Sequence, residues 1–294
     1  MAQQKIELRR LRDFGENLND TFQFIRLNFK PLLATFFAIC GVFMVTMAIF
    51  SGLYQSNTMS RLESIVSGAA LQDGGFLQIF GIGYFLLLLS MWLTYVMMQV
   101  TVTAYIKFYV ENDGATPSIE NVWDIVKRYF FKVLLYSIPI VLLQLVGFVF
   151  CVLPGIWLGV VMIPFVSVVI IEDQNFSSAF NRCFEIIKEN FWTSLLLYFV
   201  ALLIYSFMSN VIGLIVGGIV GFTAYFTTKD IGTTLGVVTS LFNMFSLTFY
   251  LVFLVSAALH YFNLVEKRDG TGLLSRIEGI GNTDKNHDNT EEEY

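Results

Sequence analysis

Two stretches, Val133 to Ile171 and Trp192 to Phe226, contain no Asp, Glu, Lys, Arg or His. Water cannot accommodate runs of that length on a small domain, whereas a bilayer core accepts them. A helix crosses the core with about 20 apolar residues, and it satisfies its own backbone hydrogen bonds on the way. Uncharged or nearly uncharged stretches occur at 31–54, 76–110, 133–152, 155–171, 192–226 and 234–263. The expected fold class is therefore an all-α membrane protein with six transmembrane helices. Charged residues make up only 14% of the chain, against about 25% in soluble domains. That depletion excludes a disordered chain, a nucleic-acid binder and an ordinary soluble enzyme.

The expected breaks are local. Asp73-Gly74-Gly75 precedes the second span, Pro154-Gly155 suits a tight turn between the third and fourth, and Thr227 to Asp230 separates the fifth from the sixth. Six spans place the N-terminus, the 111–132 and 172–191 segments and the C-terminal tail on one side. With Lys107, that side holds 16 of the 18 basic residues, leaving Arg61 and Lys229 opposite. The positive-inside rule makes the rich side cytoplasmic, with both termini in the cytoplasm. Segments 76–110 and 192–226 have 35 residues each, about 52 Å of helix. Each either tilts and projects beyond the core, or, for the fifth, breaks near Ser209-Asn210.

Three segments on the basic side share a pattern: LNDTFQFIRLNFKPLL from Leu18, IENVWDIVKRYFFKVLL from Ile119 and FNRCFEIIKENFWTSLL from Phe180. Aligned without gaps, they match Leu18, Ile119 and Phe180; Phe22, Trp123 and Phe184; Ile25, Val126 and Ile187. Arg26, Lys127 and Lys188 come next, then Phe29, Phe130 and Phe191. Apolar spacing of four, three and four marks one face of a helix. The pattern predicts three amphipathic helices, each followed by two spans, in units of about 8–110, 117–171 and 176–263. Such helices either lie at the headgroup boundary, with Arg26, Lys127 and Lys188 as candidate headgroup contacts, or pack on one another as a cap.

Chemistry-bearing residues are scarce within the spans. Glu172 and Asp173 close the fourth, Lys107 lies near the end of the second and His260 near the end of the sixth, which suits an interface anchor. Ionisable residues at mid-depth would be the sign of an ion or proton pathway, and none is seen. Two His residues do not make a zinc site, and neither an HExxH nor a GxSxG pattern occurs. Nothing points to catalysis, a cofactor or a metal. Gln144, Asn210 and Asn243 form a candidate mid-membrane polar patch, with Gln99 deeper toward the cytoplasm. Carboxamides at such depth either line a substrate path or bond between helices.

Ser209, Gly213, Gly217 and Gly221 recur every four residues on the fifth span, a candidate helix-packing face; Gly155 and Gly159 repeat the spacing on the fourth. Pro139 and Pro164 are expected to kink the third and fourth spans. Met59, Leu62, Ile65 or Val66, and Ala69 suit a short helix on the outer face. Residues 1–265 read as one membrane domain and 266–294 as a polar cytoplasmic tail, disordered from about 280. The three Cys residues, an odd number without a CxxC, read as packing residues.

The stretch from Leu153 to Trp192 resembles bacterial membrane proteins related to the membrane domain of some glycerophosphodiester phosphodiesterases. The shared elements are Pro154-Gly155, Glu172, Ala179, Arg182, Lys188 and Phe191-Trp192; Phe14 to Leu33 is similar to that family's opening. The resemblance implies a multi-pass protein of the cytoplasmic (inner) membrane. It implies no catalytic residue, because the phosphodiesterase barrel would need roughly 250 further residues. Two functions fit: a scaffold or accessory component acting at the cytoplasmic face, or a transporter or lipid-handling permease using the polar patch. The partners such a chain admits are membrane lipids, a second copy of itself or another membrane protein. Topology is directly testable. A Cys near Lys229 is expected to react with an impermeant thiol reagent from outside intact cells and one near Asp269 is not; labelling of both defeats the six-span arrangement.

Overall fold

The computed structural model describes residues 6–66, 81–150, 152–227 and 231–270. Among these the chain is helical and contains no strand. The helices are α1 (Phe14–Leu27), α2 (Phe29–Val66), α3 (Ile82–Glu111), α4 (Ile119–Phe150), α5 (Val152–Met162), α6 (Phe165–Ile171), α7 (Phe176–Ile187), α8 (Phe191–Thr227), α9 (Ile231–Ser246) and α10 (Tyr250–Asp269). Six stretches are long and apolar enough to cross a membrane: Phe29–Gln55, Ile82–Glu111, Ile119–Phe150, Val152–Ile171, Phe176–Ile219 and Val238–Asp269. The architecture is that of a multi-pass membrane protein.

Helix α2 packs along α3 and α9, α3 along α4, and α4 along α5. Helix α10 touches α1, α3, α7 and α8. It is buried on every side from Leu251 to Leu264, so it forms the axis of the end of the bundle where α1 lies.

Several local expectations change. The first span runs without a break to Val66, so the short outer helix is, as far as Val66, a continuation of α2; its remainder to Ala69 lies outside the described residues, as do Asp73 to Gly75 and the tail from 271. The third span starts inside its amphipathic segment, and α4 runs through Pro139 unbroken. Helix α4 ends at Phe150 and α5 begins at Val152, so Pro154-Gly155 lies inside α5 and is not the expected turn between the third and fourth spans. Pro154 sits in the first turn of α5, where the missing N–H costs nothing. Pro164 does end a helix, separating α5 from α6. Helix α8 is continuous through Ser209-Asn210.

The sixth span, in contrast, is interrupted. The N–H groups of Thr248, Phe249, Tyr250, Leu251 and Val252 each bond three residues back, at 3.0–3.2 Å. That is 3₁₀ geometry between α9 and α10. Mid-helix 3₁₀ segments often mark a hinge.

Close helix approach is concentrated at a few glycines. A Cβ at Gly147 would sit 3.2 Å from the Gly155 Cα, and one at Gly155 would strike the Phe148 ring at 2.6 Å. These two positions let α4 and α5 fold against each other. On α8 the expected stripe is only partly a contact. A Cβ at Gly213 would meet the Phe242 ring at 2.9 Å, but one at Gly217 would meet nothing within 4 Å. Among the described residues the stripe thus meets a neighbour at Gly213 and not at Gly217. Gly213→Leu is therefore expected to destabilise the detergent-solubilised protein by about 1–3 kcal/mol, the usual cost of overpacking, whereas Gly217→Leu melts like the parent. Equal melting temperatures for all three proteins would remove the Phe242–Gly213 contact from this account.

Candidate functional site

The polar chemistry of the chain gathers at the α1 end, around α10. Residues Ile6 to Asp13 lie across that end, with Ile6 and Leu8 buried and the Ile6 N–H donating to the Tyr109 hydroxyl at 3.3 Å. Asp13 caps α1 through a reciprocal pair: its carboxylate accepts from the Glu16 N–H at 2.7 Å, and Glu16 accepts from the Asp13 N–H at 3.0 Å. That cap fixes where α1 begins and hence which face turns inward.

The inward face is Asn17, Asp20, Thr21 and Phe24. It lies beside the apolar stripe rather than on it: Phe22 and Phe29 of that stripe are 44% and 54% exposed. The reason is Arg12, whose side chain is fully buried. Its Nε donates to Asp20 Oδ2 at 2.8 Å, its Nη1 to the Leu8 carbonyl at 2.8 Å, and its Nη2 to the Glu7 carbonyl at 2.5 Å. Arg10 reaches the same Asp20 oxygen at 2.8 Å. Burial pulls the Arg12 guanidinium below its ordinary pKa, and the hydrogen bond it donates to Asp20 works against that pull. Asn263 of α10 accepts from the Arg12 N–H at 2.9 Å and donates to the Arg12 carbonyl at 3.0 Å. Its amide thus pairs with the backbone much as a strand neighbour would.

One turn away, the Ser194 hydroxyl donates to the Asn190 carbonyl at 2.9 Å and lies 2.8 Å from His260 Nε2. With the serine proton on the Asn190 carbonyl, Nε2–H would donate to Ser194 and leave Nδ1 as an acceptor. Among the described residues, buried Nδ1 meets no hydrogen-bond partner, and neither do the two amide atoms of Asn17. His260 and Asn17, each 1% exposed, line a chamber of about 50 Å³ together with Arg12, Thr193, Leu197 and Asn263. A polar space of this size suits water, which can donate to Nδ1 and to Asn17 while accepting from the Asn17 amide.

A second set of ties holds the α7 side. Glu172 accepts from the Tyr261 hydroxyl at 2.8 Å and from Arg182 Nε at 3.3 Å. Arg182 also pairs with Asp269, and Arg268 bonds the Glu185 carbonyl at 2.7 Å. Lys107 caps α6 by donating to the Ile170 carbonyl at 2.7 Å. Lys107, Arg128 and Lys132 lie 5.1–5.6 Å from the centre of the Tyr129 ring. Asp173 takes a left-handed conformation (φ 51°) and accepts from Lys132 at 3.2 Å. Hydrogen bonds from Lys132 and Tyr129 hold its carboxyl below the usual range. With its folded pKa depressed, the stabilisation Asp173 contributes is present above about pH 4 and is lost as pH falls through that lower value; neutral titration leaves it intact.

Among the described residues no hydrogen bond joins Gln144, Asn210 and Asn243 to one another. Gln144 on α4 lies near Gly159 of α5, its Nε2 3.8 Å from where a Cβ there would be. Asn210 is exposed and bonds its own helix, donating to Ser206. Asn243 accepts from Ser246 through its backbone carbonyl. Ser209 lies within reach of the Tyr205 hydroxyl on the same helix. Among the candidate headgroup contacts, Lys127 pairs with Asp124 at 2.9 Å, while Arg26 and Lys188 are exposed with no ion pair among the described residues. His260 is a buried junction, not an interface anchor. What marks it in the sequence is only its place four residues from Ser256 and three from Asn263, a polar stripe on an apolar helix. Among the described residues no cluster of three His, Cys, Asp or Glu side chains could hold a metal.

The Arg12 knot carries a quantitative expectation. Asp20→Leu leaves the guanidinium buried with only carbonyl partners, a loss of about 3 kcal/mol or more. Adding Arg12→Met to that variant is expected to recover much of the loss in detergent melts. A double variant no more stable than Asp20→Leu would show that the pair is not coupled.

Comparison with family models, with curated proteins and with solved structures returns no match to this chain.

Proposed function

We propose that this chain is a non-catalytic component of the cytoplasmic (inner) membrane, with both termini in the cytoplasm, that acts as a scaffold or accessory subunit through its cytoplasmic face. The observation that carries the reading is the outer surface of α1, α4 and α7. Phe22 and Trp123 are 44% and 41% exposed beside Arg26 and Lys127, and Lys188 is exposed beyond α7. Aromatic and basic side chains side by side suit the headgroup layer, where each cation near an anionic leaflet adds about 1 kcal/mol. The inward faces of the same helices are occupied by α10 and its neighbours, so this surface is left for lipid and for partners.

The sequence signs of three repeated units support the same reading, since each unit returns an amphipathic segment to one leaflet. Of the charges that carry the resemblance of Leu153 to Trp192 to phosphodiesterase-linked membrane domains, Glu172 and Arg182 pair with each other, a structural tie with no catalytic role. A transporter or lipid-handling permease is the second reading, its lipid-handling form favoured by an apolar cavity within the spans.

The interfacial part is tested by fluorescence. With Trp92, Trp157 and Trp192 replaced by Phe, emission from Trp123 is expected to be quenched by phospholipids brominated near the headgroup. Quenching by aqueous iodide alone would put the surface in water, and protection from both would bury it under a protein cap. The accessory role is tested by comparing proteins retained in mild detergent by the parent and by the Arg26→Glu, Lys127→Glu, Lys188→Glu variant; an identical set would defeat it.

A further inference from the structure

Between α2, α8 and α9, within the membrane-spanning stretches, lies a cavity of about 620 Å³ bounded by Phe37, Ile212, Val216, Leu241, Phe245 and Phe249. Its volume falls in the range of ligand pockets, about 300–1,000 Å³. We propose that it is a binding site for one hydrocarbon tail of a membrane phospholipid, entered sideways between α8 and α9. This inference stands on the cavity itself and does not depend on the cytoplasmic-face reading.

The first argument is the chemistry of the wall. Apart from two hydroxyl residues at the helix break the lining is aliphatic or aromatic, and the Ser246 hydroxyl is already committed, donating to the Asn243 carbonyl at 2.8 Å and meeting Tyr205. A polar solute would find almost nothing to bond. Water is equally unsuited, because apolar cavities stay dry.

The second argument is access. Leu241 and Phe245 at the rim are 50% and 59% exposed, so the cavity opens outward, where the surrounding medium at this depth is lipid tails. The third is that the void is held open rather than left by loose packing. Ser240 Oγ lies 2.9 Å from where a Gly52 Cβ would stand, and the Phe242 ring fills the notch at Gly213. Helix α9 is thereby seated on α2 and on α8, and the space persists beside those seats. The 3₁₀ segment at Thr248 and Phe249 forms part of the wall, so the hinge-like break and the cavity coincide.

The test uses the full chain in phospholipid nanodiscs doped with a phosphatidylcholine carrying a diazirine in its tail. After irradiation, labelling is expected at half-buried Phe37 as well as at Leu214, which is 78% exposed and outside the cavity. Val216→Trp fills the space and is expected to cut labelling of Phe37 at least fivefold while leaving Leu214 unchanged; Leu214→Trp leaves Phe37 labelled. Absence of label at Phe37 in the parent overturns the proposal whatever the variants do. So does undiminished labelling of Phe37 in a Val216→Trp protein that is folded by circular dichroism.

Discussion

Arg12 is a full charge placed inside protein, and its burial sets the terms for everything at its end of the bundle. Taking a guanidinium out of water costs several kcal/mol unless its donors are met. Here they are met by Asp20 and by carbonyls of its own preceding turn. Satisfying the side chain in this way fixes the path of residues 6–13, and Asn263 then ties that path to α10. The polar face of α1 must turn inward to deliver Asp20. Its aromatic stripe is consequently turned out, which inverts the orientation a soluble amphipathic helix would take.

The two ends of the molecule are held by different forces. Around α10, charged and amide groups join segments that are distant in sequence: the N-terminal strap, α1, the 172–173 turn, α7 and the start of α8. Geometry there is directional, because each hydrogen bond fails within a few tenths of an ångström of displacement. Beyond the 3₁₀ segment, α9 meets α2 and α8 through small residues and ring contacts. Dispersion is less directional and has weaker preference for one register. Helix α8 reflects the difference: Ser194, Leu197, Tyr198 and Ala201 near its start are buried, whereas Leu214, Ile215 and Ile219 are exposed.

Much of the architecture was legible because a bilayer imposes length and polarity on every span. Uncharged runs located six crossings, and the kink expected at Pro164 falls where α5 gives way to α6. Misplaced features share one cause: the reading used one chain segment at a time. The Pro154-Gly155 pair looked like a turn, yet a first-turn proline and a glycine under Phe148 serve equally well inside α5. Gly217 matched a four-residue spacing, but spacing cannot tell a face that meets Phe242 from one that meets nothing. His260 suited an interface anchor and Asn17 and Asp20 carried no mark at all, because the sequence holds no local sign that Arg12, 251 positions from its partner Asn263, is buried near them.

The break in the sixth span joins these two regimes, and its position follows from them. Helix α10 is locked by Tyr261, Asn263 and its last turn, where Gly270 closes the end in the left-handed conformation with its N–H on the Glu266 carbonyl at 3.0 Å. Helix α9 is seated separately by Ser240 and Phe242. One continuous α-helix would have to satisfy both sets of contacts with a single rotation per residue. Five successive three-residue-back bonds overwind the chain between them, since a 3₁₀ turn takes 3.0 residues rather than 3.6. Tyr250, held between Tyr95 and Tyr205 at 5.5 and 5.3 Å, anchors the near side of that overwound stretch. The break thus lets α9 keep its seats on α2 and α8 while α10 keeps its ties to Arg12 and Glu172.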